Sequence, residues 1–104
     1  MALNTLEFEC KSAAVSVAVA KPVHFGVVGS GDLEVMMSPA ETGGAVKVKI
    51  VTPVTGFDDL WRRVLGAFVE NAKLGNVSIE INDNNATPAV VTLRLRQTLA
   101  EAAA

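Results

Sequence analysis

The sequence predicts an α+β fold, an antiparallel β-sheet meander packed against two helices at about 56–74 and 87–101. Three observations predict it. The first half alternates apolar and polar residues with period two, the signature of half-buried strands. From Phe57 onward the apolar positions recur at helical spacing. The 104 residues, half of them hydrophobic, suffice for one core and are too few for two, so residues 1–104 read as a single domain.

Taken in order, Leu6, Phe8 and Cys10 alternate with Glu7 and Glu9 in a first strand, and Val15, Val17 and Val19 alternate with small residues in a second. The runs "VHFGVV" and "DLEVMM" are short and apolar, joined by Gly29-Ser30-Gly31. Val46, Val48 and Ile50 alternate with Lys47 and Lys49 after a Gly43-Gly44 turn. Tight turns between such strands predict antiparallel neighbours. In the first helix Phe57, Leu60, Trp61, Val64, Leu65 and Phe68 form the apolar face. Thr55 is its expected N-cap, with Asp58 three residues on as in a capping box. Lys73 falls in its last turn, and Gly75 is the expected left-handed stop. Val77, Ile79 and Ile81 make a further strand, closed by the polar turn "NDNN". Thr87 followed by Pro88 opens the second helix, and the run ends in strong helix formers.

Composition excludes several function classes. The formal charge is -2, aromatic residues are few and the Lys and Arg residues are spread out, which argues against nucleic acid. No apolar run reaches membrane-spanning length. "MALNTLEFECK" carries acidic residues where a secretory leader has a basic segment and an apolar core, so a cytoplasmic location is expected. One cysteine, Cys10, and one histidine, His24, are too few for a Cys/His metal site, and no metal is expected. Cys10 is read as a small buried strand residue and His24 as a polar group at a strand end.

The stretch "GVVGSGDLEVMMSP" presents Ser30 between Gly29 and Gly31, with Asp32 following. Gly-Ser-Gly between apolar runs is ordinary hairpin chemistry. As a phosphate cradle it lacks the lysine and threonine of a P-loop and the third glycine of a dinucleotide fingerprint. As a nucleophile, Ser30 needs a base, and His24 lies about 20 Å away along extended chain. As an attachment point it fits sterically, since two flanking glycines leave room for a modifying enzyme to bring a bulky donor onto the hydroxyl. Asp32 is expected to shape the turn or to be read by partners rather than to act as a base. Arg62, Arg63, Arg94 and Arg96 are candidates for partner docking or simply a solvated face. Trp61 is expected in the core and Met36-Met37 in strand packing.

The segment "HFGVVGSGDLEV" resembles the serine motif of the acyl carrier (delta) subunit of malonate decarboxylase, and "NDNNATPAVVTLRLRQTL" resembles that family's closing segment. The resemblance runs from about His24 onward. The Ser-Gly-Asp core is shared with the acyl carrier subunit of citrate lyase, the nearest competing family. Family members often have glycine where this chain has Asn85, and asparagine tolerates the left-handed region such a turn requires. The resemblance implies that Ser30 carries covalently, through a phosphodiester, 2'-(5''-phosphoribosyl)-3'-dephospho-CoA, with Gly29, Gly31 and Asp32 as the flanking motif. It further implies a non-catalytic carrier of acetyl and malonyl thioesters between acyl-transferase and decarboxylase subunits. A phosphoribosyl-dephospho-CoA transferase and a malonyl transferase would serve it. Two other classes compete with this expectation: an unmodified interaction domain and a small hydrolase using Ser30.

Overall fold

The structure, a computed structural model, describes residues 3–103. Five strands and two helices follow one another as β1 (Asn4–Cys10), β2 (Val23–Gly26), β3 (Leu33–Pro39), β4 (Val46–Thr52), α1 (Asp58–Ala72), β5 (Val77–Asp83) and α2 (Pro88–Ala102). The α+β class and both helices are as expected. The connectivity is not a meander: the strand order is β1-β4-β5-β3-β2, and β4 and β5 run parallel. The physical reason is the intervening helix. A tight turn reverses the chain, whereas α1 carries it back to the starting end of the sheet, so β5 re-enters in the direction of β4. Only β2 and β3 form a hairpin between consecutive neighbours, with Phe25 opposite Val35 and Gly26 opposite Glu34.

Period two decides which side chains enter the core. Leu33, Val35 and Met37 of β3, Val46, Val48 and Ile50 of β4, and Val77, Ile79 and Ile81 of β5 are all nearly inaccessible. They meet Trp61, Leu65, Phe68 and Val69 of α1 and Val91 and Leu95 of α2 in one cluster. Trp61 and Met37 thus lie in the core as expected. The opposite face of the sheet is polar, with Glu7 and Glu9 paired across to Lys49 and Lys47. Cys10 is half-buried at the end of β1, where burial pushes its thiol up while Arg62 pulls it down. Cys10 and His24 lie on strands at opposite edges of the five-stranded sheet, about 19 Å apart at the usual strand spacing, and form no pair.

The helix ends differ from expectation in part. Phe57, not Thr55, is the residue preceding α1, and it offers no side-chain cap; Asp58 and Asp59 in the first turn complement the helix dipole instead. Phe57 is half exposed rather than part of the buried face. At the other end Lys73 itself takes the left-handed conformation (φ 53°). Its N–H reaches the Glu70 carbonyl at 3.2 Å and the Leu74 N–H reaches Val69 at 3.1 Å, the paired bonds of a Schellman ending. Gly75 is small for another reason: a Cβ there would sit 2.6 Å from the Gly44 carbonyl oxygen and from Val15. In α2, Thr87 caps by accepting from the Val90 N–H, and Pro88 opens the first turn, as expected.

The expected strand through Val15, Val17 and Val19 is absent. β1 and β2 occupy opposite edges, so residues 11–22 must cross the sheet rather than align with it. They do so as a strap over the helix C-termini. The Ser16 and Val17 N–H groups donate to the Lys73 carbonyl at 2.9 Å, and the Ala20 N–H donates to Ala102 at 3.0 Å. These bonds satisfy carbonyls that the helix ends would otherwise leave open. Val17 forms one isolated parallel bridge to Leu74, and Val19 is buried.

Candidate functional site

The β2–β3 hairpin is closed by residues 27–32. The Asp32 N–H donates to the Gly29 carbonyl at 3.0 Å, making a four-residue turn with Ser30 and Gly31 at its centre. Gly31 has φ 75°, as the third position of a type II turn requires. Ser30 is exposed at the apex, beside the exposed side chains of Val27 and Val28. A Cβ at Gly31 would meet nothing within 4 Å, and one at Gly29 would only touch Val27 at 4.0 Å. Packing therefore does not demand glycine at 29. What the missing side chain leaves is free space around the Ser30 hydroxyl.

The turn is exposed but anchored. The Gly31 N–H donates to the Asn84 carbonyl at 2.8 Å, and the Asn84 N–H donates to the Asp32 carbonyl at 2.9 Å. These bonds extend the β3–β5 ladder beyond Leu33 and Asp83. The Asp32 carboxylate accepts from its neighbour Leu33 N–H at 2.7 Å and from both Nε (3.0 Å) and Nη2 (2.7 Å) of Arg94. Arg94 is in turn oriented by its Nη1 bond to Gln97 at 2.9 Å. Arg94 first, then the Leu33 N–H, holds the Asp32 carboxyl below the usual aspartate range, and Asp32 raises Arg94. Gly26 lets β2 close on the start of β3: at φ 91°, a Cβ there would collide with the Leu33 carbonyl oxygen, whereas it would meet the Arg94 Cδ only at ordinary contact distance.

The link from β5 to α2 is organised by the buried carboxylate of Asp83. It accepts from Thr52 Oγ1 (2.8 Å) and from the N–H groups of Asn85 (3.1 Å) and Ala86 (3.0 Å). Asn85 enters the left-handed region at φ 68°, as expected for it. His24 bonds Glu34 through Nε2 at 2.9 Å on the polar sheet face, so its imidazole is engaged away from the turn.

Four motif residues, Gly29, Ser30, Gly31 and Asp32, thus sit together on one raised turn. Sequence reasoning missed the residues that hold that turn, Arg94 and the Asn84 backbone, and the Asp83 carboxylate that orders the neighbouring β5–α2 link. As basic residues of one closing segment, Arg94 and Arg96 are equivalent docking candidates. The helical wheel separates them, since Arg94 borders the buried stripe of Val91, Leu95 and Thr98 while Arg96 lies across from it. Arg62 is likewise engaged within the chain, 5.0 Å above the Phe8 ring.

The chain is similar to known proteins along nearly its whole length. Residues 20–102 match the model of the malonate decarboxylase delta subunit family. The chain is 54% identical over 100 residues to the malonate decarboxylase acyl carrier protein of Malonomonas rubra, covering 96% of this chain and 89% of that one. It is 46% identical over 101 residues to the namesake protein of Burkholderia cepacia, covering 97% and 92%. Among solved structures, it superposes with a TM-score of 0.76 on a chain of the crystal structure of a Pseudomonas malonate decarboxylase hetero-tetramer in complex with malonate. That chain is 31% identical, with 97% of this chain and 98% of that one covered.

Proposed function

This chain belongs to the malonate decarboxylase delta subunit family, the acyl carrier proteins of that enzyme, and on that premise we propose that Ser30 is its point of prosthetic-group attachment. The whole chain then acts as one carrier domain. The observation that carries the reading is the exposed Ser30 at the apex of an anchored turn, with open space where its two glycine neighbours have no side chains. A phosphodiester to phosphoribosyl-dephospho-CoA fits there, because nothing from Gly29 or Gly31 obstructs a bulky phosphate donor. When bound, that group supplies a terminal thiol on which an acyl group is held as a thioester.

The chain's own residues do positional work. Gly31 sets the turn, while Asp32 and Arg94 hold its base on α2, so the Ser30 hydroxyl projects at a defined place while the rest of the arm sweeps freely. Tethering converts successive encounters between partners and acyl group into local ones. Charge stabilisation during acyl transfer and loss of carbon dioxide falls to partner active sites. Those partners are acyl-transferase and decarboxylase subunits, the arm comes from a phosphoribosyl-dephospho-CoA transferase, a malonyl transferase serves the cycle, and the assembly works in the cytoplasm. The related Pseudomonas enzyme is a hetero-tetramer, which supports a multi-subunit setting.

The test is the intact mass of the chain from its native host, with fragmentation across Gly26–Pro39. An added phosphoribosyl-dephospho-CoA on Ser30 is the expected result. A bare serine in an active native complex overturns it and returns Gly-Ser-Gly to a plain hairpin turn. Chain made without the modifying transferase is expected to carry unmodified Ser30.

A further inference from the structure

A cavity of about 290 Å³ opens at the end of the molecule that bears the Ser30 turn, between the start of α1 and the β5–α2 link. Val54, Phe57, Leu60, Trp61, Ala86 and Val91 supply most of its wall. Its polar lining is Asp83, Asn85 and Thr87. The Asp83 carboxylate is already spent on Thr52, Asn85 and Ala86, and Thr87 is spent on the α2 N-terminus. The core leaves this space unfilled although Phe57, next to it, stays half exposed.

The cavity lies close to the proposed attachment point. Gly31 bonds Asn84 at 2.8 Å, and Asn85, the next residue, lines the cavity. With about 3.8 Å per residue step and about 5.5 Å across the bonded Gly31–Asn84 pair, the Asn85 Cα lies within about 13 Å of the Ser30 Cα. We infer that this cavity is a resting cradle for the acyl-thioester end of the arm on Ser30, selective for a neutral acyl group over one bearing a carboxylate. The inference rests on attachment at Ser30.

Size and charge both favour that occupant. The volume is at the lower edge of small-molecule sites, which run from about 300 to 1,000 Å³, so it suits the slim thioester end rather than the nucleotide. No lining residue is cationic, Asp83 is among them, and Asp58 and Asp59 directly follow Phe57. The two helix N-termini nearby would attract an anion, but α1 already faces those aspartates and α2 has its Thr87 cap. A carboxylate entering would lose its water and gain no counter-charge. An acetyl thioester loses little. Because a short tether gives an effective concentration of the order of mM, an affinity of the order of mM already fills the cradle about half of the time. The cradle would then shield the acetyl form between partners while leaving the malonyl form out and available.

The test uses the full chain modified on Ser30 by its transferase and charged with 13C-acetyl or with malonyl, each species checked by intact mass. Expected are nuclear Overhauser contacts from the acetyl methyl to the Leu60 and Val91 methyls and to the Trp61 indole, and none from the malonyl methylene. Hydroxylamine is expected to cleave the acetyl thioester about 2- to 10-fold more slowly than on the Ala86→Phe variant, which fills the cavity, as half to nine-tenths occupancy dictates. A correctly loaded acetyl chain without those contacts overturns the cradle and leaves attachment at Ser30 standing. Equal contacts from malonyl overturn the selectivity. No arm mass on Ser30 overturns the attachment and the cradle together. The contacts are read in the unaltered chain, so a variant that fails to fold does not spoil the test.

Discussion

Two glycines at opposite ends of the molecule, Gly75 and Gly29, are glycine for opposite reasons. Gly75 and Gly44 meet where the strap crosses the C-terminal end of α1, and a Cβ on Gly75 would lie 2.6 Å from the Gly44 carbonyl oxygen and from Val15. Gly29 and Gly31 flank Ser30 on the hairpin turn, and a Cβ on either would meet almost nothing. At Gly75 glycine lets the backbone close up; at Gly29 it keeps the surroundings of a hydroxyl empty, while Gly31 and Gly44 answer to positive φ values of 75° and 92°. Composition does not distinguish the two. Only the neighbours do, and the difference separates residues that the fold needs from those that the proposed attachment needs.

Substitutions can break this contrast at either end. The largest expected effect is at the apex: Ser30→Ala is expected to abolish arm attachment and decarboxylation by the reconstituted complex, leaving the thermal midpoint of the chain unchanged. Intact mass and calorimetry read the two halves of that statement. Next is Gly75→Ala, which overpacks a closed contact and is expected to destabilise by about 1–3 kcal/mol while modification of Ser30 continues. Urea unfolding measures it, and an unchanged midpoint would contradict the close approach seen at Gly44.

Gly29→Val sharpens the comparison from the other side. It is expected to leave stability within about 0.5 kcal/mol, as surface changes generally do, yet to slow modification by the transferase, read as mass gain over time. Loss of stability with normal modification would reverse the roles assigned to Gly29 and Gly75. The smallest effect is a pH dependence. Arg94 and the Leu33 N–H lower the Asp32 pKa, so the tether is fully formed above the ordinary aspartate value of about 3.9 and is lost only as pH falls through the lower folded value. Amide shifts of residues 29–32 are expected to titrate below the usual aspartate range. Arg94→Ala is expected to move that titration up and to raise hydrogen exchange at Gly31.

Much of this was legible from residues near each other in the chain. Alternation identifies the inward faces of β1, β4 and β5, Thr87-Pro88 marks the start of α2, and "GVVGSGDLEV" locates the turn that bears Ser30. The strap through Val15–Val19 reads as a strand because alternation reports local burial, and a strap with one buried valine imitates it. Gly75 reads as a helix stop because a glycine after a helix is usually one, whereas here Lys73 accepts the left-handed conformation and Gly75 answers to packing.

What the sequence by itself determined are features governed by contacts a few residues apart: the α+β class, the two helices, the hairpin and the exposed serine at its tip. The tertiary structure alone decided the rest. The strand order and the parallel β4–β5 pair follow from how α1 returns the chain. Arg94 grips Asp32 across 62 positions because α2 lies over β2 and β3. Alternation and helical periodicity state which side of an element is buried, not against which distant partner, and partner choice is settled only when the whole core packs.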